Sequence, residues 1–314
     1  MGRFRVAGIT AFCGGLATCP YLAALSGSPG SLIPVYLTQV PLFVAGLWLG
    51  ATVSALAGLV GSLIFLVVSG VMAGALFAAV NAVPVLVLVR QSLLARTTSK
   101  GVIEWYPPGL MIAWLTSFGL AGLDLALVLL GGPDAVQATL RAVLAPALDR
   151  FFHASAPERD AIAGFLALIM PGLAAASWMI MAATNGGLAQ GLLSRFGASR
   201  RPSSDLAALE LPMWMPLLFA VAAAAMVLGG SARFVGINVM IVLTIPFCLA
   251  GLAVLHVLTR RLVRPAIPLV AFYVLRDSSA GRFCWSRSWV CSTPRSGCEA
   301  ASHRSNLVEA KIDG

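Results

Sequence analysis

Asp124 is the one acidic residue that falls inside a long apolar stretch of this chain. A carboxylate in such surroundings is costly and counts first as a functional candidate, either binding a cationic solute or carrying a proton. The bland alternative is a protonated, hydrogen-bonded Asp, or one tilted toward a polar interface. Gln39, Asn81 and Asn238 are the further polar groups in apolar segments. Each needs a partner there, because an unsatisfied amide in hydrocarbon costs several kcal/mol. Interhelical bonding explains such residues, and so does lining a small-molecule cavity. Pro41, Pro84, Pro171 and Pro246 each withhold an N–H and so can open a backbone carbonyl toward such a cavity. Trp178 offers a ring to stack on a ligand, or simply a surface to pack. His256 lies near the end of the last apolar segment and reads as a headgroup contact. Phosphate-binding loop, H-E-x-x-H and C-x-x-C motifs are all missing. The expectation is therefore a non-enzyme with no cofactor and no metal.

The elements that hold these residues follow from composition. Of the 314 residues 59% are apolar and only 11% charged, against about 25% charged in an ordinary soluble domain. The mean hydropathy is +0.91. Too little polar surface exists to face water, so the chain reads as all-α, a polytopic transmembrane helical bundle. Segments of roughly 20 apolar residues suffice to cross the hydrocarbon. About eight are expected, at 6–25, 32–49, 51–69, 71–90, 108–130, 161–184, 211–229 and 236–258. The long apolar run after Leu32 is divided at Gly50 and Gly70, and Asn185-Gly186-Gly187 is read as a helix stop. Residues 134–153 read as an amphipathic helix bent at Pro146, with Val136, Leu140, Val143, Leu144, Ala147, Leu148 and Phe151 on one face.

The net charge of +9 is explained by membrane sidedness, and no nucleic-acid partner is expected. With the N-terminus cytoplasmic and eight spans, the inner segments hold Arg3, Arg5, Arg90, Arg96, Lys100, Arg195, Arg200, Arg201, Arg260, Arg261 and Arg264. The outer ones hold only Arg141, Arg150, Arg159 and Arg233. That asymmetry fits a multi-pass protein of the bacterial inner membrane. The first span is too long for a signal-peptide core, and Thr18-Cys19-Pro20 is a poor lipoprotein cleavage site, so cleavage is not expected. Cys13, Cys19 and Cys248 read as small hydrophobes. Composition changes abruptly at Arg276. Residues 276–314 read as a disordered tail or as sequence out of its natural frame. Cys284, Cys291, Cys298 and His303 there match no zinc-site spacing.

Small residues recur every fourth position at Gly46, Gly50, Ser54, Gly58 and Ser62, and again at Gly70, Gly74, Ala78 and Ala82. Such stripes let helices approach closely, either within the bundle or against another membrane subunit.

The segments Pro41-Leu42-Phe43-Val44-Ala45-Gly46-Leu47, Val102-Ile103-Glu104-Trp105-Tyr106-Pro107-Pro108-Gly109 and Leu211-Pro212-Met213-Trp214 stand in this order. Asn238 and then Gly251-Leu252-Ala253-Val254-Leu255-His256 follow. Together they resemble the YybS-like family of bacterial membrane proteins over residues 1 to about 275. That family is in turn distantly similar to the substrate-binding subunits of energy-coupling-factor vitamin transporters, which dock on a membrane partner through small-residue helix faces. The resemblance implies a small-solute-binding component of a transporter but transfers no ligand residue. A scaffold protein of the bacterial envelope, with no transported solute, is the alternative expectation.

Overall fold

Two glycines break the long apolar run where the sequence suggests. In the computed structural model Gly50 has φ +114° and Gly70 φ +92°, backbone that L side chains rarely adopt. Between them runs α4, Ala51–Ser69. Around them lie α3, Val40–Leu49, and α5, Val71–Phe77. Nothing stands near the missing Cβ of Gly70, so backbone strain alone decides the effect of a substitution there. Gly70→Ala and Gly70→Asn are each expected to cost about 1–3 kcal/mol, read by denaturant unfolding of the purified chain, because ψ 174° lies outside the left-handed helical well that asparagine tolerates. Equal stability of all three proteins would show that the connection relaxes freely.

The structure describes residues 2–24, 32–151, 155–202 and 209–259. The expectations for the tail, for Arg260, Arg261 and Arg264, and for Cys284, Cys291, Cys298 and His303 lie outside these residues, as does the side chain of His256. Residues 1–254 form one compact unit.

The chain opens with α1, Arg3–Ala24. The short α2, Leu32–Val35, is separated from α3 by an irregular turn at 36–39. After α5 comes a π-helical turn, Ala78–Ala82, leading into α6, Val83–Ser92. Then follow α7, Pro108–Leu129; α8, Pro133–Phe151; α9, Ala156–Arg195; α10, Trp214–Val227; and α11, Gly230–Thr259. Among the described residues six helices are long and apolar enough to cross a membrane, and two shorter apolar ones cover 33–49 and 214–227. Each of the eight expected segments overlaps one of these helices, six of which have spanning length. Only 28–33% of each of the six apolar windows is buried within the chain. The remainder is apolar surface on a scale that water does not tolerate. A multi-pass membrane protein accounts for it.

α1 packs on α3 and α4, α3 also on α6 and α9, and α7 on α6 and α9. The small-residue stripes are filled from inside the chain. A Cβ at Gly46 would stand 2.8 Å from Ser54 and Val89, one at Gly58 2.7 Å from Ala82, and one at Gly74 2.8 Å from the Ser62 carbonyl. Ser54 is buried and its hydroxyl donates to the Leu42 carbonyl at 3.3 Å. Gly50 and Gly70 serve as helix breaks instead.

Three expectations need correction. The chain is not wholly helical: β1, Ala95–Thr97, and β2, Ile103–Trp105, form an antiparallel hairpin between α6 and α7, pairing Arg96 with Glu104. Asn185-Gly186-Gly187 does not stop α9, which runs 40 residues to Arg195. Neither glycine there takes positive φ, and Asn185 turns inward to bond another segment. The helix ends instead at Gly197, φ +65°, where the Ala198 N–H closes on the Leu193 carbonyl. Finally, α8 lays a narrower stripe on α9 than the sequence face suggests: Val136 and Leu148 are buried, but Val143 is 66% exposed and Ala147 is exposed too. The helix continues through Pro146.

Candidate functional site

Where α5 gives way to α6, Pro84 has no N–H to return to the carbonyl four residues earlier, that of Val80. The π-helical turn Ala78–Ala82 occupies this spot. The Val80 carbonyl accepts two side-chain donors from other helices: Trp178 Nε1 of α9 at 3.0 Å and Gln39 Nε2, from the turn before α3, at 3.4 Å. Gln39 Nε2 also donates to Asn81 Oδ1 at 3.3 Å, and Asn81 Nδ2 donates to the Tyr21 hydroxyl of α1 at 3.5 Å. Tyr21 is held there by edge-on contacts with Phe65 and Phe77, which stack on each other at 5.1 Å.

A second helix break faces this one. In the turn at 36–39 the Tyr36 carbonyl accepts from Asn185 Nδ2 at 2.8 Å, and the Tyr36 hydroxyl bonds Ser177 on α9. Thr38, Gln39, Asn81 and Asn185 are all buried, at 0–1% exposure. Three of their oxygens, Thr38 Oγ1, Gln39 Oε1 and Asn185 Oδ1, have no hydrogen-bond partner. Gln39, Asn81 and Trp178 are thus brought together, in a centre without a charged side chain. Tyr21, Thr38 and Asn185 were missed by the sequence reading, Asn185 because its Asn-Gly-Gly context looks like a helix end.

Trp178 and Val80 also line a cleft of about 480 Å³ between the α5–α6 segment, α7 and α9, whose wall includes Pro84, Phe118, Leu125 and Ala174. The lining is almost wholly apolar. Such a cleft takes hydrocarbon or an aromatic ring and offers no charge to an ion.

Asp124 does not join this centre. It is exposed on α7, away from the face formed by Gly122, Leu125, Ala126 and Leu129 along the cleft, and has no hydrogen bond or ion pair among the described residues. Asn238 has a different task. Its Nδ2 donates to the Leu168 carbonyl at 2.9 Å and the Phe234 carbonyl at 2.8 Å, and its Oδ1 accepts from the Gly172 N–H at 2.6 Å. Leu168 and Gly172 are four apart and would ordinarily bond each other in α9. The Asn238 amide bonds both groups, beside Pro171, and every polar atom it carries is satisfied.

Arg201 was read only as one more cytoplasmic charge, yet it is 7% exposed. Its Nη1 donates to the Ser92 carbonyl at the end of α6, 3.1 Å, and its Nη2 to the Tyr106 carbonyl before α7, 2.8 Å. Gln190 Nε2 donates to its backbone carbonyl at 2.8 Å. Burial pushes the guanidinium below its usual range, though an arginine stays charged at any physiological pH. Arg200 lies 3.5 Å from where a Gly50 Cβ would stand. The break at Gly50, the hairpin connection and the segment after α9 therefore meet at one end of the bundle.

No group of three or more His, Cys, Asp or Glu side chains that would hold a metal occurs among the described residues. The chain matches no protein-family model, no curated protein and no solved structure.

Proposed function

We propose that this chain is a multi-pass protein of the bacterial inner membrane, related to the YybS-like family. In this reading it binds a small solute as the substrate-capturing component of a transporter whose partner subunits supply the energy. The observation that carries the reading is the meeting of Gln39, Asn81 and Trp178 at two facing helix breaks, beside an apolar cleft that Trp178 also lines. Discontinuous helices expose backbone groups at membrane depth only where protein or a ligand can satisfy them, and transporters place their sites there.

The membrane topology belongs to the same proposal. Eight spans with the N-terminus cytoplasmic put Gly50, residues 92–106 and residues 195–201 on the inner side. The contacts of Arg200 and Arg201 among these segments support that arrangement. Against a purely scaffolding role, the small-residue faces that would dock a partner are filled by the chain's own helices at Gly46, Gly58 and Gly74.

Native mass spectrometry of the full chain, purified in mild detergent, tests the binding role. The wild type is expected to carry a small-molecule adduct, and so is Asp124→Asn, whose side chain lies away from the cleft. Gln39→Leu and Trp178→Phe are expected to reduce its occupancy at least tenfold, about 1.4 kcal/mol. An adduct retained equally by all four proteins, or found on none, counts against the site.

A further inference from the structure

We propose that the helix break between α2 and α3 binds a dehydrated monovalent cation through Thr38 Oγ1, Gln39 Oε1 and Asn185 Oδ1. These are the three buried side-chain oxygens that find no partner. Their being oxygens is fixed by the bonds on the other side of each amide. Asn185 Nδ2 faces the Tyr36 carbonyl at 2.8 Å. Gln39 Nε2 faces the Val80 carbonyl and Asn81 Oδ1. Flipping either amide would set oxygen against oxygen, so both carbonyl oxygens stay on the unpartnered side.

The three groups belong to one neighbourhood. Thr38 and Gln39 are consecutive in the turn that follows Tyr36, and Asn185 is tied to the Tyr36 carbonyl. Its neighbour Gly186 lies against the Phe43 ring, 3.5 Å from a built Cβ, one helical turn beyond Gln39. Asn185 therefore runs alongside the segment that carries the other two.

A neutral hydroxyl and two amide carbonyls, without a carboxylate, are what replaces the hydration shell of an alkali-metal ion. A calcium-type site recruits carboxylates, and no charged residue stands between Arg5 and Arg90 or between Asp160 and Arg195, the stretches that carry these three oxygens. An isolated orphan oxygen in this setting would be a net penalty, while a shared cation gives three of them a single partner. The proposal goes beyond solute binding and does not rest on it.

The full chain in non-ionic detergent would be melted in sodium, potassium and N-methyl-D-glucamine chloride at equal ionic strength. Sodium or potassium is expected to raise the melting temperature along a single-site saturation curve, relative to the bulky cation. Thr38→Val keeps the side-chain volume and removes the oxygen. It is expected to fold, by circular dichroism and gel filtration, and to need at least tenfold more salt for half the shift. Asn185→Leu is expected to lose the shift altogether. Binding of radioactive sodium to wild type and Thr38→Val gives an independent readout, should either variant be too unstable to melt cleanly. Equal melting in the three salts, or a shift that Thr38→Val leaves unchanged, overturns the proposal and assigns these oxygens to buried water. A solute adduct that survives such a result would leave the binding role standing.

Discussion

Asn238→Ala is expected to destabilise the bundle by about 2–4 kcal/mol, among the largest single-residue effects in this protein. The alanine removes three hydrogen bonds at once and takes a side-chain partner from the Gly172 N–H and from the Leu168 and Phe234 carbonyls. A buried backbone group without a partner costs about 1–3 kcal/mol. Single interhelical bonds in membranes are typically worth less, about 0.6 kcal/mol, because the unfolded helices find substitutes. Here the only substitute at hand is the α9 ladder itself, across Pro171. Asn238→Asp tests the role of the amide separately: it keeps the acceptor for Gly172 but loses the donor to Leu168 and Phe234. Gly172→Ala attacks the same contact sterically, since its Cβ would stand 2.9 Å from the Asn238 Cα and carbonyl oxygen, which belong to backbone and cannot rotate away. Unfolding in a graded series of denaturing detergent, followed by tryptophan fluorescence, would read all three. Wild-type stability in Asn238→Ala would mean that the α9 ladder suffices and that Asn238 is a passenger.

The second large effect concerns Arg201. Arg201→Met is expected to cost about 2–4 kcal/mol and to loosen that end of the bundle. The guanidinium joins the last turn of α6 to the segment entering α7, through two carbonyls on different strands of chain. Hydrogen bonds from charged donors contribute about 1.5–3 kcal/mol each, offset in part by the desolvation that lowers the guanidinium pKa. The end of α6 also carries the negative pole of its helix dipole, which favours a cation. Arg201→Lys is expected to recover less than half of the loss, because one ammonium cannot span both carbonyls as the planar fork does. Stability measurements and limited proteolysis between 195 and 210 would show it. Full rescue by lysine would reduce Arg201 to a charge and remove the bridging argument. Arg96 makes a useful contrast. Its ion pair with Glu104 is short, at 2.7 Å, but the two side chains are 82% and 47% exposed, and its removal should be close to neutral.

Two helix assignments show what periodicity and punctuation carry. α4 begins and ends where Gly50 and Gly70 place it, since only glycine accepts the left-handed backbone at those turns without strain. α9 overruns Asn185-Gly186-Gly187, where Asn185 is buried with the Tyr36 carbonyl to bond and Gly186 sits in ordinary contact with the Phe43 ring. An Asn-Gly-Gly run can end a helix or lie inside one, and local sequence does not distinguish the two.

Lipid as the solvent, a nearly all-helical chain and the positions of eight apolar segments are determined by the sequence itself. They depend on composition, on spacing along one strand of chain and on backbone preferences, all of which are local. Of the polar residues that the sequence singles out, Gln39, Asn81 and Asn238 are buried, while Asp124 is exposed and the buried Thr38 and Asn185 carry no local signal that marks them. Which partners satisfy them was decided only in three dimensions. Asp124 had the strongest claim by chemistry and faces outward. Asn238 spends its amide on the α9 backbone. Gln39, Asn81 and Trp178 meet because Pro84 frees a carbonyl that two other helices reach. Those pairings join residues 41 to 98 positions apart, and rotation of a helix about its axis, which selects them, is set by the packing of its neighbours.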